Sequence, residues 1–97
     1  MKVIFNEIAV DELRDAERFY NLEHSGLGSE LKEEVKKSIE RVRKYPFAFP
    51  PVHQEIRAVI LHRFSYKLFY SIELDHIYII AIAHQHRQPE YWVDRMI

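Results

Sequence analysis

The sequence predicts an α+β two-layer sandwich in the order β-α-α-β-β-β, closed by a short C-terminal helix. Three observations carry this expectation. Apolar residues recur at helical spacing through two segments of the first half. After a proline-rich break at Pro46, Pro50 and Pro51, the pattern becomes extended. Two amphipathic helices also need a sheet face to cover, which selects a helical layer packed on an antiparallel sheet.

Taken in order, Lys2 to Phe5 reads as a short first strand with Val3 and Phe5 on one face. Asn6 is a helix N-cap, and Glu7 in the first turn complements the helix dipole. Ala9, Leu13, Ala16 and Tyr20 form one stripe, while Asp11, Glu12 and Asp15 read as surface. Ser25-Gly26 breaks this helix. A second helix is predicted over Leu27 to Lys44, with the stripe Leu31, Val35, Ile39 and Val42. Glu33 with Lys37 and Glu40 with Lys44 are predicted as surface pairs four residues apart. The pair of helices forms a hairpin.

Phe47 and Phe49 are expected to pin the proline loop to the body. Ile56 to Leu61, Phe64 to Ile72 and Ile77 to Ala83 then read as strands of an antiparallel meander, with a reversal at Leu74-Asp75-His76. The last run is apolar at nearly every position, so it is expected in the middle of the sheet, covered on both faces. Pro89 to Met96 fits a short helix begun by its proline.

At 97 residues, the expectation is one domain spanning 1–97. Without cysteine, neither a disulfide framework nor a thiolate metal site is possible. Met1 to Glu7 is too short an apolar run for a secretory signal, and no run approaches the ~20 residues of a membrane helix. The expectation is therefore a cytoplasmic protein without a membrane partner. The formal net charge of −1 gives no whole-chain attraction to nucleic acid. Five of the six histidines nonetheless lie after residue 50.

The chemistry concentrates in His84-Gln85-His86-Arg87-Gln88-Pro89-Glu90-Tyr91-Trp92-Val93-Asp94-Arg95. His84 and His86 would share a strand face, but no third ligand is evident, so no metal site and no cofactor is assigned. Arg87 and Arg95 suit phosphate, and Tyr91 and Trp92 can stack on bases. Arg63 and Lys67, alternating with the core residues Phe64 and Leu68, are expected to face the same groove as Arg87. The structural alternative stays beside this one. Tyr91 and Trp92 would then dock the tail, and the arginines would pair with Glu90 and Asp94.

The ordered set Ala9, Leu13, Ala16, Phe19-Tyr20, Gly26-Leu27-Gly28, Tyr45-Pro46, Ile56-Arg57, Arg63 to Tyr70 and His84 to Trp92 resembles the RelE/ParE toxin superfamily over essentially the whole chain. The resemblance implies the toxin of a type II toxin–antitoxin pair, a group that includes plasmid stabilisation proteins. It implies a cognate antitoxin as partner, which folds on binding. RelE-like members are metal-independent endoribonucleases, or mRNA interferases, acting at the ribosome on mRNA. In that case Lys67, Arg87 and Tyr91 are the catalytic candidates, and Arg57, Arg63, His84, Trp92 and Arg95 are candidates for substrate binding. ParE-like members instead poison DNA gyrase by contact. A non-catalytic module that binds only its antitoxin is a further alternative. Few cations follow residue 50 (Arg57, Arg63, Lys67, Arg87 and Arg95), fewer than a chain approaching the ribosome should carry.

Overall fold

The Asn6 side chain accepts the Ile8 N–H at 2.8 Å and so starts the first helix where the sequence places it. A computed structural model describes residues 1–96. Its elements are β1 (Lys2–Phe5), α1 (Glu7–Glu23), α2 (Leu27–Lys44), β2 (Pro51–His53), β3 (Ile56–Ile60), β4 (Tyr66–Ile72), β5 (His76–His84) and a closing 3₁₀ turn (Val93–Met96). The two helices form a hairpin layer against a five-stranded sheet of order β1-β5-β4-β3-β2. No described helix is long and apolar enough to cross a membrane.

The predicted α+β layering holds, with three changes. The sheet is mixed, because β1 runs parallel to β5 while the other neighbours are antiparallel. An added strand, β2, forms from the proline loop and pairs with β3 at the edge. The tail makes turns before its 3₁₀ segment rather than a helix from Pro89.

Gly26, at φ 90°, takes the left-handed conformation that turns α1 into α2. Leu31, Val35 and Val42 from α2 bury against Ala9 and Ala16 from α1 and against Val59, Leu68, Tyr70, Ile77 and Ile79 of the sheet. The surface pairs slip by one residue. Glu33 meets Lys36 at 3.7 Å and Glu40 meets Arg43 at 2.9 Å, both three apart rather than four. These pairs are solvent-exposed and add little stability.

The proline loop is pinned by Phe49, which packs edge-on to Tyr70, and by the Tyr70 hydroxyl, which donates to the Pro46 carbonyl at 2.6 Å. Burial raises the Tyr70 phenol above its ordinary pKa. Phe47, expected to pin the same loop, is exposed instead.

β5 lies between β1 and β4 and is buried on both faces. Its pairing explains the unbroken apolar run. Phe69 lies opposite Ala81 and Tyr70 opposite Ile79, so Ile80 is the extra residue of a β-bulge. The bulge resets the alternation. Ile77, Ile79 and Ile82 enter the helical core, while Ile80 and Ala81 form a second cluster with Ile56 and Trp92 on the opposite face.

Candidate functional site

The face of the sheet turned away from the helices carries a groove of about 490 Å³. Its floor follows from strand register. Ile60 pairs with Lys67 and Lys67 with Ala83, while Ala58 pairs with Phe69. In-register residues share a face, so one side chain from each strand lines the groove. The C-terminal tail makes one wall, with Arg87, Pro89, Tyr91 and Trp92, and the edge strand contributes Val52 and His53.

Of the predicted site residues, the groove gathers Lys67, His84, Arg87, Tyr91 and Trp92. Arg87 lies over the Tyr91 ring, its guanidinium carbon 4.1 Å from the centroid, a cation–π contact. Trp92 is only 2% exposed and packs against Phe69 and edge-on to His53, so its indole forms floor rather than a free stacking face. His53 Nδ1 meets Glu90 Oε1 at 2.7 Å, which ties the tail to β2. β5 ends at His84, so His84 and His86 do not share the strand face expected of them. The His86 N–H donates to His84 Nδ1 across the turn. Among the described residues no three of His, Asp or Glu converge as a metal site would require.

Three predicted residues lie elsewhere. Arg63 was expected beside Arg87, but it pairs with Glu30 of α2 at 2.7 Å, on the helical side. The reason is geometric. Residues 61–65 form a loop, and strand alternation does not extend through it. Arg57 lies opposite Tyr70 and so faces the helical side, where it donates to the Phe49 carbonyl and lies over Phe47. Arg95 is sequestered by Glu12: its guanidinium makes two bonds to that carboxylate, at 2.8 and 3.0 Å.

Glu12 departs furthest from the sequence expectation. Its charge predicts a surface position, yet only 16% of its side chain is exposed. Besides Arg95, its carboxylate accepts the Tyr91 hydroxyl and the Ile82 N–H, the latter at 3.0 Å. A signal for this was present. Glu12 lies three residues after Ala9 and four before Ala16, so it is on the apolar stripe. A carboxylate there must be paired, and its partners lie some seventy or more residues away in the chain.

Burial, followed by the bond to Glu12, pushes the Tyr91 phenol far above its ordinary pKa. The bond to Glu12 holds the Arg95 guanidinium above its own. The Tyr91 shift fixes a sign for pH dependence. A folded-state pKa raised above the unfolded value of about 10 stabilises the fold below that pH and is lost as pH rises further. Tyr66 and Tyr70 are raised as well, chiefly by burial. Tyr91→Phe is therefore expected to make the alkaline loss of stability shallower without abolishing it. Urea unfolding followed between neutral pH and the alkaline limit measures this, and an unchanged slope would contradict it.

Comparison with known proteins bears on the fold and the family. A family model described as the ParE toxin of the type II toxin–antitoxin system parDE matches residues 3–89. Among solved structures, the chain is similar to one from the chromosomal ParDE toxin–antitoxin system of P. aeruginosa. That match has a TM-score of 0.65 at 16% identity, covering 87% of this chain and 95% of that one. It is also similar to an arginine double mutant of the E. coli toxin RelE in the free state, with a TM-score of 0.69 at 20% identity, covering 99% and 97%. The isolated E. coli RelE toxin matches with a TM-score of 0.65 at 21% identity, covering 99% and 98%. No curated protein matches the chain.

Proposed function

Because the chain belongs to the ParE toxin family of type II toxin–antitoxin systems, we propose that it arrests growth by holding a protein target in its groove rather than by cutting RNA. The observation that carries this reading is the state of Tyr91. Its hydroxyl donates to the Glu12 carboxylate, and its proton is held far more tightly than a free phenol's. A tyrosine exchanging protons during phosphodiester cleavage needs a free hydroxyl and a pKa nearer the working pH. The groove also suits a polypeptide. Ala58, Ile60, Phe69 and Val52 offer apolar contact, with Lys67 and Arg87 beside them for acidic groups. DNA gyrase is the target that membership of this family favours.

The second reading is a metal-independent ribonuclease built on Lys67, Arg87 and Tyr91. The favouring observation is that these three do line one groove together with His84. Two assays separate the readings. Under the binding reading, purified protein inhibits gyrase supercoiling and leaves ribosome-bound message intact. Arg87→Ala should weaken inhibition about tenfold or more, as loss of a central interface arginine does. Tyr91→Phe should retain most of it, because the hydroxyl does no chemistry. Cleaved message together with an inactive Tyr91→Phe variant would establish the ribonuclease instead. If both assays are silent, only the antitoxin-binding role remains.

A further inference from the structure

β1 ends at Phe5, opposite Ile79. Beyond that point β5 continues to His84 without a strand neighbour on that side. An open sheet edge leaves backbone donors and acceptors unmatched. Here two side chains take the place of the missing strand. Glu12 accepts the Ile82 N–H, and Arg95 donates to the Ile80 carbonyl at 3.1 Å. The same two side chains then bond to each other, so one cluster joins α1, the bulged edge of β5 and the end of the tail. Both are largely shielded, with 11% of the Arg95 side chain and 16% of the Glu12 side chain exposed. In that setting either charge left without the other is strongly unfavourable.

From this arrangement we infer that Glu12 is a positioning residue for the groove: through Tyr91 and Arg95 it latches the C-terminal wall against the sheet and sets where the Arg87 guanidinium lies. The chain of contacts is continuous. Glu12 holds the Tyr91 hydroxyl, the Tyr91 ring carries Arg87 on its face, and Trp92, the next residue, is buried against Phe69. Arg95 lies over the same Tyr91 ring, 5.0 Å from its centroid, so the ring is in contact with two guanidinium groups. On the opposite side, the tail is tied by the packing of Trp92 and by the bond between His53 and Glu90, and half of the Glu90 side chain is in solvent. The polar hold on the tail therefore centres on one carboxylate on α1, beside the packing of Trp92. With that carboxylate lost, the wall lifts and Arg87 leaves its place beside the groove.

The consequence for target binding rests on the groove reading above, but the test reads the tail alone. Trp92 is the only tryptophan in the chain, so its fluorescence reports the tail. Arg87 lies on an aromatic face, so its side-chain Nε–H resonance carries a ring-current shift that depends on Tyr91 staying in place. Glu12→Gln keeps the shape but removes the charge that Arg95 requires. Arg95→Met removes the tail's half of the pair and leaves the shielded Glu12 carboxylate without its compensating charge, so the carboxylate turns toward water and releases Tyr91. In both variants Trp92 emission should shift to the red and acrylamide quenching should rise several-fold. The Arg87 resonance should move to the position it takes in Tyr91→Leu, while helical circular dichroism stays native. A residue that merely stabilises the fold would move all of these probes together.

Retention of native Trp92 shielding and a native Arg87 resonance in both variants would overturn the inference. Exposure of Trp92 only along with loss of helical signal in both would overturn it equally, because a latch acts on the tail. If the tail is freed yet gyrase inhibition persists, the latch stands and the groove reading of function fails.

Discussion

Trp92→Ala is expected to destabilise the fold by about 3–5 kcal/mol, the range for removing a buried large aromatic. The indole is the centre of the smaller core, packed with Ile56, Ile80 and Ala81 and flanked by Phe69 and Tyr91. That cluster is open to the groove on one side, so a cavity there will partly fill with water rather than collapse. A domain of this size has roughly 5–15 kcal/mol of stability in total, so the variant should remain folded at low temperature with a much lower melting point. Circular dichroism melting measures the loss. A fall of under about 1 kcal/mol would mean that the tail contributes little to the packed core. The functional effect should exceed the share of protein unfolded, because Trp92 is also groove floor and its loss loosens Tyr91 and Arg87 beside it. Phe at position 92 should recover most of the stability and part of the groove.

Gly28→Ala is the second large effect, and it arises at the opposite side of the molecule. Gly28 lies in the first turn of α2, where the chain passes closest to α1. A methyl group there would overlap the Glu17 carbonyl oxygen and lie 2.8 Å from the Asn21 side-chain carbon. The first of these is backbone and cannot swing aside. The Gly28 N–H also donates to Asn21 Oδ1 at 2.8 Å, a bond that requires the close approach to be kept. The hairpin must spread, which costs about 3 kcal/mol, at the upper end of ordinary overpacking. Alanine normally favours a helix over glycine by about 1 kcal/mol, so the measured sign separates the two effects directly. A stabilised Gly28→Ala protein in chemical denaturation would show that the helices are free to separate. Gly26→Ala makes a useful contrast. No atom lies near its missing side chain, so only the cost of its left-handed backbone would appear.

Much of the architecture was legible in the residues because it depends on neighbours in sequence. The Asn6 cap, the limits of α2 and the apolar stripes of both helices are set by contacts within a turn or two. The groove was legible in part, through Lys67 and Arg87, because Lys67 lies within a regular strand whose alternation can be counted. The same counting misplaced Arg63, where the chain leaves the pleat and alternation loses meaning. Arg57 shows the complementary error. Its residue type suits phosphate, but its register opposite Tyr70 turns it to the helical side.

The sequence by itself determined the two-helix layer, a sheet to cover it and the concentration of reactive side chains in the tail. The tertiary structure decided what those side chains do. One bulge at Ile80 changes which residues of β5 face the core, and a short β1 leaves an edge for side chains to satisfy. Glu12 answers that need from 79 residues before Tyr91 and 83 before Arg95. Helix and strand periods express the local geometry of the backbone, and so they can be read from composition and spacing. The partner of a shielded carboxylate is set by where distant segments meet, and no local period records that.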